Sequence, residues 1–183
     1  MSEKKRHTIA VLVSNEAGVL SQVSRLISRV GYNIESLAVG TTDTPRISRI
    51  TVEVVADDKH ITLMCNKLRK LVLVHSVKLL APAQSIRREL VLIKVRAASR
   101  EERNEVIQIT NIFRGSVIDL CPETLTVSLI GAEEKTEAVE ALFRSFGIIE
   151  LVRTGVIALE RSLKTIDENT KEKGEFNYGK HVL

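Results

Sequence analysis

The sequence predicts an α+β fold made of two βαββαβ units in tandem, each an antiparallel sheet carrying its helices on one face. Three observations predict it. Apolar positions with a period of two alternate with apolar positions at helical spacing in the order strand, helix, strand, strand, helix, strand, and that order occurs twice in 183 residues. The segment Ile47 to Val55 sets Ile50, Val52 and Val54 against Arg49, Thr51 and Glu53, the alternation of a sheet covered on one side only. Hydrophobic residues make up 44% of the chain but aromatics only 3%, with no Trp. The cores are therefore expected to be Val, Ile and Leu, side chains that suit sheets packed on helices.

The first unit opens with an apolar strand, Thr8 to Val13. Asn15-Glu16-Ala17-Gly18 turns the chain into a helix whose Leu20, Val23, Leu26, Ile27 and Val30 share a face. Beyond Gly31, Asn33 to Gly40 is extended, Thr41 to Pro45 turns, and Ile47 to Val55 returns. Asp57-Asp58 begins a second helix, since carboxylates favour the positive end of a helix dipole, and Ile61, Met64, Leu68 and Leu71 form its apolar face. The strand Val72 to Leu80 closes the unit.

Ala81-Pro82-Ala83-Gln84-Ser85 is a short hinge with a helix-breaking proline. The order then repeats: strand Glu89 to Arg96, a helix with Val106, Ile109, Ile112 and Phe113, and strands Ser116 to Leu120 and Thr124 to Ile130. A helix begun by Glu133-Glu134 with Ala138, Leu142 and Phe146, and a last strand Ile148 to Leu159, complete it. This is the split βαβ, or ferredoxin-like, arrangement, duplicated in element order with little identity between the halves. The expected domains are 1–81 and 82–161, each near the lower size limit for an independent core. A flexible tail is expected over 162–183, where both charges mix without a sustained apolar period.

Only the first half carries the Asn-x-x-Gly turn; the second reads Ala97-Ala98-Ser99-Arg100-Glu101 at that place. In the first half Asn15 stands where a side-chain oxygen caps a helix, and Gly18 lets a ligand approach the backbone closely. The first amides of a helix are unpaired and sit at the positive end of its dipole, so a carboxylate is attracted there. The turn therefore reads as part of a small-molecule sensor.

Other functions are disfavoured. The net charge is +4, but the cations are scattered among Glu and Asp as on solvated faces. The helix from Arg100 to Phe113 carries Glu101, Glu102 and Glu105, which DNA phosphates would repel. No apolar run approaches the ~18 residues of a membrane helix. Met1 to His7 leads into a strand with no signal-type apolar stretch, so a cytoplasmic chain without a membrane or nucleic-acid partner is expected. Cys65 and Cys121 lack Cys-x-x-Cys spacing and read as reduced packing residues. G-x-S-x-G, G-x-x-x-x-G-K-[ST] and H-E-x-x-H are absent, and His7, His60, His75 and His181 do not cluster. Asp57-Asp58 and Glu133-Glu134 read as helix starts rather than paired catalytic acids, and Arg87-Arg88 and Lys67-x-Arg69-Lys70 as polar faces. No catalytic residue and no metal ligand is expected in this chain.

Asn15-Glu16-Ala17-Gly18-Val19-Leu20 with Gly31-Tyr32-Asn33-Ile34-Glu35-Ser36-Leu37, then Thr42-Asp43-x-Pro45-x-Ile47-Ser48-Arg49 and Lys67-Leu68-x-Lys70-Leu71-Val72, resembles the regulatory small subunit of acetolactate synthase (acetohydroxyacid synthase). In the second half, Arg88-Glu89-Leu90-x-Leu92-Ile93-Lys94-Val95, Ile112-Phe113-Arg114-Gly115-x-x-Ile118-Asp119 and Ala132 through Arg153-Thr154-Gly155-Val156 are similar to that family too. The resemblance covers about Arg6 to Arg161. It implies an N-terminal ACT domain that binds a feedback amino acid, usually valine, and a non-catalytic chain that activates and regulates a catalytic large subunit. Thiamine diphosphate, Mg²⁺ and FAD would belong to that subunit and not to this chain. It also implies a homodimer through the ACT domains, in which Asn33 and Ile34 come from the neighbouring protomer. The effector site is then Asn15, Glu16, Ala17, Gly18 and Val19 from one chain and Asn33 and Ile34 from the other. The alternatives are a free-standing ACT-domain sensor that regulates another enzyme or transcription, and an enzyme of ferredoxin-like fold with dispersed catalytic residues.

Overall fold

The computed structural model describes residues 4–166. They divide into two compact units, one made of the residues up to Ile86 together with the segment from Val156 onward, the other of Arg87–Gly155. Among the described residues no helix is long and apolar enough to cross a membrane.

The first unit contains β1 (Lys5–Ser14), α1 (Val19–Arg29), β2 (Ile34–Thr41), β3 (Ile47–Ala56), α2 (Asp58–Leu68) and β4 (Val74–Leu80), in the predicted order. Its sheet runs β2-β3-β1-β4, antiparallel throughout. One face of it, Ile9, Val11 and Val13 on β1 with Ile50, Val52 and Val54 on β3, packs on Val19, Val23 and Ile27 of α1 and on Ile61, Met64, Cys65 and Leu68 of α2. Asp57 accepts a hydrogen bond from the His60 backbone N–H at 3.0 Å, so the acidic pair is a helix start, as its position predicts.

The opposite face of this sheet is not the solvated face that the alternation of β3 predicts. Thr51 and Glu53 are buried, and so are Ala10 and Leu12 on β1 and Ser76 and Leu80 on β4. Ala10, Leu12 and Leu80 form a second small core with Ala158 and Ile166. The expected last strand, Ile148 to Leu159, is accordingly two strands, β8 (Ile148–Arg153) and β9 (Ile157–Glu160), separated at Gly155, whose φ is 77°. Val156 N–H donates to Ser36 Oγ at 2.8 Å, and Arg161 N–H donates to Gln84 C=O at 2.8 Å. Val156 and Ala158 after the break are buried, Ala158 in that second small core, while Ile157 and Leu159 stay exposed; the segment from Val156 onward therefore joins the first unit and shifts the expected 82–161 boundary. Residues 161–165 are exposed but Ile166 is buried, so the tail expected from 162 onward is anchored on the first unit at that residue. The rest of the tail, with His181, lies outside the described residues.

The second unit contains the larger part of β5 (Ser85–Arg96), then α3 (Arg100–Ile112), β6 (Ser116–Leu120), β7 (Thr124–Gly131), α4 (Glu133–Phe143) and β8, with strand order β6-β7-β5-β8. The expected hinge is a 3₁₀ turn, Pro82–Gln84, leading into β5. Val91, Ile93, Val95, Leu125, Val127 and Leu129 pack with Val106 of α3 and Val139 and Phe143 of α4. Two expected helix faces are displaced: α4 buries Thr136, Val139 and Phe143 while Leu142 is exposed, and Ile112 at the end of α3 is exposed. Cys65 is buried as expected, but Cys121 is exposed and is no packing residue.

Candidate functional site

The Asn15 turn is built by tertiary contacts on both sides. Ser14 N–H donates to Leu73 C=O at 2.9 Å, and Asn15 N–H donates to Arg46 C=O at 2.7 Å in the β2–β3 hairpin. The Asn15 side chain continues that contact, its Nδ2 donating to Pro45 C=O at 3.0 Å. Asn15 therefore does not cap α1, contrary to the sequence-based expectation. The cap position is Gly18, with φ 85° and no side-chain hydrogen bond to the helix start. A side-chain cap can act only when its residue immediately precedes the first turn, and here the hairpin lies closer to the Asn15 amide than the helix does.

The helix start is left open as a result. Among the described residues, the backbone N–H groups of Ala17, Gly18, Leu20 and Ser21 have no partner, and Val19 N–H reaches Glu16 C=O only at 3.4 Å. Asn15, Glu16, Ala17 and Gly18 are exposed, and Val19 is buried against the core. A Cβ at Gly18 would meet nothing within 4 Å, so the glycine is required by its left-handed backbone rather than by crowding. Unpaired amides at the positive end of a helix attract carboxylates.

Asn33 is exposed, with Nδ2 donating to Glu35 Oε1 at 3.3 Å, and Ile34 is half-buried at the start of β2. Within one chain these residues do not meet the turn. Ser14 lies opposite Ile47 on β3, whereas Ile34 lies opposite Val54. Seven residues of strand, about 23 Å, separate those two registers, and no ligand of amino-acid size spans that distance.

One neighbour of the turn is invisible in local sequence. His75 on β4 lies with Nε2 3.0 Å from Ser14 Oγ, although the two residues are 61 apart in the chain. Burial pushes its pKa below the ordinary histidine value, and the nearby Glu16 carboxylate acts in the opposite direction. No periodicity marks it; only the β1–β4 pairing, with its irregularity at Leu12/Val13, brings it there. Among the described residues no group of three or more His, Cys, Asp and Glu is placed to hold a metal ion.

Two tandem ferredoxin-like units, the first with an exposed strand-to-helix turn, define a chain with an ACT-type fold. The model of the AHAS small subunit-like ACT domain matches residues 9–76, and that of the small subunit of acetolactate synthase matches residues 88–162. The chain belongs to the acetolactate synthase small-subunit family. It is similar to the probable acetolactate synthase small subunit of Methanothermobacter thermautotrophicus, 44% identical over 90% of this chain and 98% of that one. It is similar also to the acetolactate synthase small subunit of Aquifex aeolicus, 42% identical over 91% of this chain and 87% of the other. The crystal structure of the small subunit from Thermotoga maritima superimposes with a TM-score of 0.80 at 37% identity, covering 86% of this chain and 98% of that chain.

Proposed function

We propose that the chain binds valine at the Asn15–Val19 turn and passes that occupancy to a catalytic large subunit of acetolactate synthase, which it also activates. The observation that carries this is the open start of α1, where the Ala17, Gly18, Leu20 and Ser21 amides await a carboxylate. Glu16 offers a counter-charge for the ligand's ammonium, and the Asn33 amide is donor and acceptor in one group. Because Asn33 and Ile34 stand about 23 Å from the turn in their own chain, a complete site needs these residues from a second copy. That geometry supports a homodimer with the ligand between protomers. Burying valine's two extra carbons relative to alanine contributes about 1.6 kcal/mol, roughly fifteenfold in affinity, which sets the preference for a branched side chain. A ligand of this kind shifts the catalytic subunit by its differential affinity for two arrangements, typically ~1 to 3 kcal/mol. Thiamine diphosphate, Mg²⁺ and FAD act in the catalytic subunit in this scheme, and the chemistry is done there.

The test is a matched pair at one position. Gly18→Asn and Gly18→Asp carry nearly the same backbone cost, since both side chains tolerate the left-handed region, and they differ by one negative charge. Valine inhibition of the reconstituted enzyme should survive largely in Gly18→Asn and be lost in Gly18→Asp. Equal valine sensitivity in the two variants would remove the turn from the site. Asn33→Ala should weaken valine binding in calorimetric titration while leaving activation of the large subunit intact.

A further inference from the structure

The end of β1 is held from both sides, and one of the two holds includes a side chain that the valine site as built above does not use. On the hairpin side, Asn15 is bound by the carbonyls of Pro45 and Arg46. On the other side lies the edge strand β4, whose pairing with β1 is irregular at this level. Leu12 lies opposite Ser76 but Val13 lies opposite Val74, so His75 is one residue more than the ladder needs. A bulge of this kind bends its strand and re-aims the side chain of the extra residue, and bulges gather at sheet edges and beside active sites. Here the bulge sets His75 Nε2 3.0 Å from Ser14 Oγ. The two backbones rejoin past it, where Ser14 N–H donates to Leu73 C=O at 2.9 Å.

Ser14 joins the sheet to the open amides. Its C=O accepts from Glu16 N–H at 2.9 Å, and from that point Glu16, Ala17 and Gly18 are exposed. The His75 ring is half-buried, and the Glu16 carboxylate is near enough to favour its charged form. Resting on the reading of this turn as the valine site, we propose that His75 is a positioning residue of the turn, which ties Ser14 to β4 and so holds the Glu16–Gly18 backbone in the geometry that receives an amino acid. A turn held in place before its ligand arrives binds more tightly, because less freedom is lost on binding. The ring needs no contact with the ligand for this, since it acts through the Ser14 hydroxyl. Gln carries both a donor and an acceptor at the end of its side chain and can replace it, whereas Leu cannot.

Calorimetric titration of the full chain with valine tests this role, each variant being measured well below its own thermal midpoint so that all are folded. His75→Leu and Ser14→Ala should each weaken valine by about fivefold, the usual worth of one hydrogen bond. The double variant should bind no more weakly than either single one, because both changes remove the same contact. His75→Gln should stay near the parent, a rescue that a role in packing alone would not produce. Parent affinity in His75→Leu, no advantage of Gln over Leu, or additive losses in the double variant would each overturn the role of His75. Gly18→Asn and Gly18→Asp, titrated alongside, separate this outcome from failure of the site itself. If those two bind valine equally, the turn is not the site and the role of His75 falls with it. If they differ as expected while His75→Leu binds like the parent, the turn stands and the role of His75 alone is lost.

Discussion

Gly18 and Asn15 illustrate how far single residues can be read from sequence. Gly18 was legible as the glycine of the turn, but as room for a ligand to approach; the structure adds that its φ of 85° requires it. Asn15 was legible as a residue of the turn but not in its role, because its side chain answers Pro45, 30 residues away, rather than the adjacent helix. His75 was illegible as a neighbour of the turn for the same reason, since strand pairing alone sets it against Ser14. It yields a prediction at this scale. Its pKa is lowered on folding, chiefly by burial, while the unfolded value stays near 6.5. In the window just below that value the unfolded chain binds more protons, so stability is complete above it and falls as the pH drops into the window. Denaturant midpoints measured at about pH 7.5 and about pH 5.5 should differ less for His75→Gln than for the parent. An equal difference would show that His75 does not carry this acid sensitivity.

Elements were legible where period and caps agreed. In α2 the Asp57 cap and the spacing of Ile61, Met64 and Leu68 agree, and the helix forms with all three buried. Asp57 serves two groups, the His60 backbone N–H and His60 Nδ1, which lies 2.7 Å from Oδ2. Asp57→Ala should therefore cost about 1 kcal/mol, read as a lower thermal midpoint. An unchanged midpoint would mean that the helix start is held by packing alone. In α3 the cap stands in the sequence as Ser99 three residues before Glu102, and the structure forms both reciprocal hydrogen bonds of the capping box. In α4 the period was ambiguous, because Ala138, Leu142 and Phe146 make as good a helical stripe as Thr136, Val139 and Phe143. The second set wins through a buried polar contact and an aromatic anchor. Thr136 Oγ1 bonds Glu89 on β5, and Phe143 fills the core with Phe146 edge-on to it. Glu89 also accepts from Arg153 Nη1 at 2.8 Å, so α4 is registered by a polar network that no hydrophobic pattern records.

At the scale of the whole molecule, the return of the chain to its first unit is the feature with most consequence. Ile166 caps the second small core of that unit, and Ile166→Ala should destabilise the first unit by about 2 kcal/mol, the low end of core truncations because the site lies at an edge. A denaturation profile indistinguishable from the parent would mean that the segment after β9 contributes nothing to stability. The purified chain alone should turn over no pyruvate, and mixing it with a large subunit should bring valine sensitivity; turnover by the lone chain would favour an enzyme. The sequence by itself determined the α+β class, the order of the elements in both units, the buried face of α2 and the place of the Asn15–Gly18 strand-to-helix turn, because periodicity, caps and glycine backbone preference act over a few residues; in α1 the face is turned by one residue, with Val19 buried and Leu20 exposed. Only the tertiary structure decided that the outer face of the first sheet is covered, that the last strand divides at Gly155, and that Asn15 and His75 serve the turn from strands and hairpins distant in sequence. Those outcomes depend on which exposed apolar face is nearest to an apolar segment after the rest has folded, and no local pattern of residues encodes that distance.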